Sequence, residues 1–443
     1  MKSVIIVGTA CVLLIATATP TSNNGELAGI FQQATTPIGL GDGVEFARPG
    51  VDVRFVASRS DTSDAEFVAI LNEINGKSDD TQSVAVAWMK LGRMQYDRGD
   101  DAEAMKSLER GVRLYRPDST PAIADADSQL DFACREVGDY CIREGRYSDA
   151  LHYWSKFEGR HFCGNGQAAG KALKAHRIML CELHLGNHVQ AANVGLQIVF
   201  QTRHCLLGWD GTPAVLLYRL CDAAGQRDDL MRMCDRVDAP ILAEWDGSAW
   251  AAKLKPEDRE QRRPSQQVRF CDELQRLAKE GKAESLALYC RRDTRPWTEG
   301  SFATAHFDWR AAAAADALAQ LGENGFAVIE QSYKPGYSFG EWLLYSLGKT
   351  RSSGSLQLLK RFADKSYDQE MAKFVLALRL RGAEGEALAK ALASRSPKAA
   401  NAVAQHDRQI RHALAIANAQ DTWPRPKNRS LPAALPVRQE VNE

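Results

Sequence analysis

A glycine-centred pattern recurs five times along the chain and limits the folds that it can adopt. Each glycine is followed five residues later by a small or apolar residue, and nine residues later by a third, usually larger one. Because glycine reaches left-handed backbone conformations without strain, it can end one helix and let the next pack back closely. The pattern therefore predicts five antiparallel helix pairs. The five sets are Gly99, Ala104 and Leu108; Gly145, Ala150 and Trp154; Gly186, Ala191 and Gly195; Gly225, Leu230 and Cys234; and Gly281, Leu286 and Cys290.

The residues around the first two glycines carry further landmarks. The first unit contains Trp88, Leu91-Gly92, Tyr96, Gly99, Ala104, Leu108 and Pro117, and the second contains Val137-Gly138, Gly145, Tyr147, Ala150 and Trp154. In this order they resemble the tetratricopeptide repeat family, and the resemblance extends over about residues 80 to 292. The glycine spacings are 46, 41, 39 and 56 residues, instead of the family's roughly 34. The resemblance therefore implies a superhelix with insertions in its loops.

A second helical region is expected from about residue 302 to residue 395. Trp309 begins an alanine-rich stretch that ends at Leu321-Gly322, Leu347-Gly348 marks a second stretch, and Gly382 closes a third. These stretches resemble HEAT-type helical repeats. The sequence thus predicts an all-α helical-repeat solenoid, in which tetratricopeptide-like helix pairs are followed by HEAT-like helix pairs.

The first residues predict export. Lys2 supplies a positive charge, Val4 to Ala16 form an apolar stretch, and Ala16-Thr17-Ala18 is a small-x-small cleavage site, so residues 1–18 read as a secretory signal. We therefore expect a periplasmic or extracellular protein. An N-terminal membrane anchor is less favoured, because the apolar stretch is shorter than the roughly 20 residues that a bilayer core requires.

Composition divides the rest of the chain. Ser63 to Glu66 form a capping-box pattern, which places the first helix start near residue 63. Three prolines and a run of mixed charge predict a solvated linker, and a polar, proline-rich end that contains Trp423 predicts a disordered tail. The predicted segments are a signal peptide (1–18), an irregular arm (19–60), tetratricopeptide-like repeats (61–237), a linker (238–265), a degenerate helix pair (266–298), a HEAT-like domain (299–419) and a disordered tail (420–443).

Charge balance and the absence of local motifs exclude several classes of function. Lys plus Arg and Asp plus Glu number 56 each, so the chain lacks the basic footprint of a nucleic-acid binder. We expect no nucleic-acid partner and no stable membrane span after signal cleavage. The sequence contains no phosphate loop, zinc-protease helix, serine elbow or haem attachment motif. We accordingly expect no cofactor and no enzymatic activity.

Export determines how the cysteines are interpreted, because disulfides form outside the cytosol. His161 and Cys163, like His204 and Cys205, follow the second helix of successive units, where stacking brings equivalent loops together. Three alternatives stay open: a Cys163–Cys205 disulfide, a zinc site that uses all four residues, or unpaired loop residues. Core packing is expected instead for Cys134, Cys141, Cys221, Cys234 and Cys290.

The tetratricopeptide resemblance implies a concave groove that is lined by the first helix of each pair and binds extended peptides. Four of the implied lining residues are arginines, which hold carboxylates in bidentate fashion, so an acidic or C-terminal peptide is the first expected partner. The alternative is that these are solvated charges on an ordinary surface. The implied lining residues, called the groove row below, are Arg93, Tyr96, Asp97, Arg135, Asp139, Arg143, His176, His184 and Arg219.

We therefore expect an exported helical-repeat scaffold that binds a protein or peptide partner in this groove. Two other classes of function compete with that expectation. One is an enzymatic or metal-binding module whose site is built from residues far apart in the sequence, and the other is a structural component of an envelope or surface complex that assembles through the HEAT-like half.

Overall fold

The computed structural model of the chain describes eight stretches of residues, and all of their regular structure is helical. Nineteen α-helices and two short 3-10 turns lie within these stretches, with no strand among them. The prediction of an all-α chain is confirmed. The signal sequence, the N-terminal arm and the cluster of His161, Cys163, His204 and Cys205 lie outside the described residues. The described stretches are residues 64–76, 82–116, 126–159, 165–201, 211–246, 263–290, 309–334 and 340–426.

The first eleven helices follow one another with short turns inside each pair. Helices α2 and α3, α4 and α5, α6 and α7, α8 and α9, and α10 and α11 pack as neighbours. The helices are α1 (Asp64–Asn75), α2 (Gln82–Arg98), α3 (Asp101–Leu114), α4 (Ala126–Arg143), α5 (Tyr147–Lys156), α6 (Asn165–His184), α7 (His188–Gln201), α8 (Thr212–Ala223), α9 (Arg227–Asp246), α10 (Gln266–Lys279) and α11 (Ala283–Tyr289).

The five turns within these pairs share one geometry. All five predicted glycines have a positive φ, between 69° and 92°. In each turn the N–H of the residue after the glycine donates to the carbonyl five residues earlier, at 2.7 to 2.9 Å. This hydrogen bond closes a Schellman motif, which satisfies a carbonyl that the helix end leaves without a partner. The prediction that these glycines end helices is confirmed.

The pattern also identified core positions correctly. The alanine, leucine, tryptophan and cysteine members of the five sets are all buried, among them Ala104, Leu108, Ala150 and Trp154 with no exposed surface. Burial of one large apolar side chain stabilises a fold by roughly 1.5–3 kcal/mol. Because such positions recur in every pair, each helix pair contributes buried apolar side chains to the core.

The cysteines within the described residues contribute to this core as thiols. Cys134, Cys141, Cys221, Cys234 and Cys290 are free and buried, as expected from the sequence, and so are Cys181 and Cys271. Burial raises the pKa of Cys134, Cys141, Cys234 and Cys271 to about 12. Because the thiolate is the reactive form, these groups behave as small apolar side chains.

The second half of the chain adds eight helices and returns to the first half. Helix α14 packs on α12 and α16, whereas α19 packs on α16, α18, α4 and α6. Helix α19, the last in the described stretches, therefore contacts both halves. The helices are α12 (Trp309–Ala319), α13 (Phe326–Ser332), α14 (Glu341–Lys349), α15 (Ser353–Asp364), α16 (Met371–Leu380), α17 (Ala383–Ala393), α18 (Pro397–Gln405) and α19 (Asp407–Thr422). In the described stretches, none of the helices has the length and apolar character to cross a membrane.

The structure differs from the predicted linker boundary at residue 238. Helix α9 continues to Asp246, and the buried Asp238 accepts hydrogen bonds from the backbone N and the Oγ of Ser265, at 3.1 and 2.5 Å. The two ends of the segment predicted as a linker are therefore held together. Its charged composition concealed this contact, because composition does not identify a charge's partner.

The structure also differs from the predicted start of the tail at residue 420. Helix α19 continues to Thr422, and both Gln420 and Trp423 are buried. The ring of Trp423 lies 6.2 Å from that of His188, at the start of α7. A proline-rich composition indicated disorder here, but a partner from much earlier in the chain orders these residues.

Gly348 provides a test of how closely the helices of the second half approach. A Cβ at this position would lie 2.3 Å from the carbonyl oxygen of Ala377 in α16. We expect Gly348→Ala to lower the free energy of unfolding by about 2 kcal/mol or more, since backbone must move to admit it. Urea denaturation measures this difference. Gly145→Ala is the control, because nothing lies within 4 Å of its Cβ and only its positive φ, roughly 1–2 kcal/mol, opposes it. Equal losses would contradict the close approach.

Candidate functional site

Most of the groove row lies against helix α19. Helices α2, α4, α6 and α8 carry its nine residues, as expected from their sequence positions. Residues from α2, α4, α6 and α8 all contact residues of α19 or of the segment directly after it. The structure thus brings most of the predicted row together, and the occupant of that surface is a segment of the same chain.

The first contact lies where α19 begins. The guanidinium of Arg408 stacks over the ring of Tyr96 at 3.6 Å and also donates to the Tyr96 carbonyl. Its Nη2 lies 2.7 Å from Asp101 Oδ1, while Nη2 of Arg411 lies 3.0 Å from Asp101 Oδ2. One carboxylate therefore holds two arginines. Burial and the nearby Glu136 carboxylate raise the pKa of Tyr96, so its ring stays neutral.

The contact surface between α19 and the groove row, called the seam below, has a buried arginine at its middle. Arg177 of α6 is only 1% exposed, and its Nε donates to Asp139 Oδ1 at 2.7 Å. His412 of α19 approaches the same carboxylate, with Nε2 3.5 Å from Asp139 Oδ2. A cavity of about 30 Å³ adjoins these groups and is lined by residues that include Tyr96, Asp139 and His412. Such a volume has room for roughly two water molecules beside these groups.

His176 links Arg177 to α19. Nη1 of Arg177 lies 2.7 Å from His176 Nδ1, and the side-chain amide of Gln420 lies 2.9 Å from Nε2. Because arginine only donates, Nδ1 is the acceptor and the neutral ring carries its proton on Nε2, so the Gln420 amide must turn its oxygen, not its nitrogen, toward that proton. Burial and the charges of Arg177 and Arg219 lower the pKa of His176 well below its ordinary value. The ring is therefore a neutral connector.

Two histidines of the α6–α7 turn reach the end of α19. Nε2 of His184 donates to the carbonyl of Ala419 at 2.8 Å, and Nε2 of His188 donates to the carbonyl of Pro424 at 2.7 Å. The last four carbonyls of a helix lack intrahelical partners, and that of Ala419 is one of them. Tyr147 holds the His184 ring in place by stacking on it at 3.8 Å. The turn therefore caps the C-terminus of α19.

A compact network of ion pairs holds the same C-terminal end of α19. Arg219 Nη2 lies 2.6 Å and Lys349 Nζ lies 2.8 Å from the carboxylate of Asp316. The side chain of Arg219 is 20% exposed, that of Lys349 is 13% exposed and that of Asp316 is 12% exposed. The same two cations also hold Asp421 of α19, at 3.5 and 2.5 Å. Burial opposes the charge of Lys349, but the carboxylates outweigh it and raise its pKa. Lys349 and Arg219 likewise overcome burial and lower the pKa of Asp316.

At the other end of the groove row, Arg93 is exposed to solvent, whereas the side chain of Arg135 is only 19% exposed. The guanidinium of Arg93 lies 4.8 Å from the centre of the Phe132 ring, and that of Arg135 lies 5.5 Å from the same centre. Arg135 also donates two hydrogen bonds to Glu136, at 2.6 and 2.8 Å. Asp97 lies between exposed and buried, and burial raises its pKa. The charges of Arg93 and of Arg408, at the start of α19, oppose that rise in the pKa of Asp97.

Sequence reasoning missed several members of this site. A hint of Arg177 exists in the sequence, since a lone arginine within an apolar helix needs a buried partner. The helical spacing of Ile410, Ala413 and Ile416 also signals an amphipathic helix beyond the HEAT-like stretches. No sequence signal connects these residues to partners hundreds of positions away. The missed members are Asp101, Arg177, Asp316, Lys349, Arg408, Arg411, His412, Gln420 and Asp421.

In the described stretches, no group of three or more His, Cys, Asp or Glu side chains is placed to hold a metal ion. The candidate disulfide and zinc residues Cys163, Cys205, His161 and His204 lie outside those stretches and stay predictions.

Comparison with known proteins gives no relative from which a function can be transferred. The chain matches no family model, no curated protein and no solved structure at the significance required. A function for this chain is therefore inferred from its own residues.

The two neutral histidines predict a dependence of stability on pH. Burial lowers the pKa of both His176 and His184, whereas in the unfolded chain each takes up a proton near pH 6.5. Their contribution is complete above that pH and is lost as the pH falls below it, by up to about 1.4 kcal/mol per pH unit for each proton. Urea denaturation at pH 7.5 and 5.5 measures the loss. His176→Gln should show a smaller loss than the wild-type chain, and an unchanged loss would contradict this assignment.

The ion network predicts unequal roles for its two carboxylates. Asp316→Asn leaves two buried cations with weakened partners, so we expect a loss of about 3 kcal/mol in the free energy of unfolding. The control is Asp421→Asn, for which we expect under about 1 kcal/mol, because Asp421 is 41% exposed. Chemical denaturation of both variants decides the point. A larger loss for Asp421→Asn would show that the centre of the network has been misplaced.

Proposed function

We propose that this chain is an exported helical-repeat scaffold that holds a protein or peptide partner along the groove row. In this proposal the helix pairs from α2 to α11 are tetratricopeptide-like repeats and the helices from α12 onward are HEAT-like. The five identical glycine turns support the first part, because a common turn is what stacked copies of one structural unit require.

One observation carries the proposal: the groove row already holds a peptide segment, which belongs to the chain itself. Tyr96 contacts Arg408, Asp139 contacts His412, His184 contacts Ala419, and Arg219 contacts Asp421. The row therefore has the chemistry to bind a helical segment through arginine stacking, ion pairs and donors to carbonyls. Since Arg219 approaches a carboxylate there, the expectation of an acidic ligand group agrees with this geometry.

The exposed end of the row is where a partner gains its first contact. The guanidinium of Arg93 lies 4.8 Å from the centre of the Phe132 ring, and its charge also acts on the carboxyl group of Asp97. Ion pairs of this kind contribute little alone, but they orient and accelerate an encounter with an acidic surface. In the proposal, an acidic group of the partner binds Arg93 first and the rest of the partner extends along the row.

Affinity capture tests the proposal. The mature chain, residues 19–443, is immobilised and exposed to the extracytoplasmic fraction of its own cell, and bound proteins are identified by mass spectrometry. We expect a specific partner whose affinity falls by about tenfold or more with Arg93→Glu, because the variant repels an acidic group.

The matched control is Arg113→Glu, an identical charge change at an exposed position in the second helix of the same pair. Equal recovery of the partner with both variants would remove the groove row from the proposal. Failure to capture any protein with the wild-type chain would remove the scaffold function itself.

A further inference from the structure

The charges of α19 are arranged in an order that a free helix disfavours. Arg408 and Arg411 lie near its N-terminus, where the helix dipole favours acidic groups, and Asp421 lies in its last turn, where the dipole favours basic ones. Asp407 at the first position is the only charge in this set that suits the dipole. The charge order is therefore explained by the surface that receives the helix, not by the stability of the helix itself.

The receiving surface has the complementary order. Asp101 holds both arginines at one end, and Arg219 and Lys349 hold Asp421 at the other. Between them, His184 donates to the carbonyl of Ala419, which only the end of a helix presents without an intrahelical partner. A helix inserted in the opposite direction would place like charges together at both ends. The surface therefore recognises a helix, its direction and its C-terminus.

Helix α19 combines small and partly exposed side chains with a few that are fully buried. Only His406 separates it from α18. Four alanines, Ala413, Ala415, Ala417 and Ala419, lie along it, so much of its contact surface is small, although Ile410 and Ile416 are fully buried. Asp421 and Arg411 stay 41 and 42% exposed. Polar contacts of partly exposed groups exchange more readily than a tightly packed apolar core.

We propose that the groove row, together with Asp101 and Lys349, is a directional receptor for a helix and that α19 is its internal occupant. The partner is an α-helical segment with basic residues in its first turns, small residues along one face and a carboxylate in its last turn. This helix takes the place of α19 and forms the same contacts. The inference rests on the proposed function and names its ligand class, which is a helix in place of an extended peptide.

A synthetic peptide that spans residues 406–426 serves as the probe. Its affinity is measured by fluorescence anisotropy for the wild-type full chain and for the full chain with Arg408→Glu and Arg411→Glu. We expect the peptide to bind the variant at least about tenfold more tightly, because Asp101 repels the altered internal helix and the row becomes available. The peptide with Asp421→Arg should bind that variant about tenfold more weakly, since Arg219 and Lys349 repel it. The peptide with Asn418→Arg is the matched control, because Asn418 is exposed, and it should bind like the unaltered peptide.

Hydrogen exchange of the wild-type chain provides a second measurement that depends on no variant. We expect the amides of α19 to exchange by local opening, faster than those of α16, on which it packs. Equal protection of α19 and α16, or a folded variant that does not bind the peptide, would overturn the proposal. A variant that loses its cooperative unfolding transition would also count against the proposal, since the fold would then require α19 in its docked position.

These outcomes are separate from those of the capture experiment. Peptide binding without any captured partner would leave the receptor intact and remove the scaffold function. A captured partner whose binding the peptide does not reduce would retain the scaffold function and remove the receptor.

Discussion

The pairing of buried charge between the two halves of the chain is the interaction on which the rest of the structure depends. Asp316 lies between Arg219 and Lys349 at 2.6 and 2.8 Å, and its partners come from α8 and α14. A buried ion is tolerated only when its partner is fixed, because desolvation opposes each charge separately. The network therefore requires α8, α12 and α14 to keep one relative position. The same cations then provide the place where α19 ends.

Around this network the fold combines two kinds of contact. Within each glycine-centred pair, apolar side chains such as Leu108 and Trp154 are fully buried and supply most of the stabilisation. Helix α19 adds aromatic stacking, histidine donors and ion pairs to its buried apolar contacts, as Tyr96, His184 and Asp421 illustrate. Apolar contacts are indifferent to direction, whereas these polar contacts are satisfied in only one orientation. The helix pairs thus provide stability, and the seam provides specificity.

The sequence predicted the groove row but not its occupant. The tetratricopeptide resemblance implied that Tyr96, Asp139, His184 and Arg219 line one groove, and the structure places all four in contact with α19. The interpretation of these residues as a groove for an external peptide did not include α19, because no pattern in residues 407–422 indicates a contact with residues 96–219. The same limitation affected Trp423, which composition assigned to a tail and which packs near His188. Local patterns report how a segment folds, and a contact between distant segments leaves no local pattern.

The sequence by itself determined the helices, their glycine turns and the core positions within each pair, because these depend on residues within about two turns of one another. It also determined which side chains could line a common face. Only the tertiary structure decided that α19 covers that face, that Arg177 and His176 become a neutral buried link, and that Asp316 sits between two cations. The physical reason is that the energy of a buried charge or an orphan carbonyl depends on a partner in space, and the chain folds back to supply it.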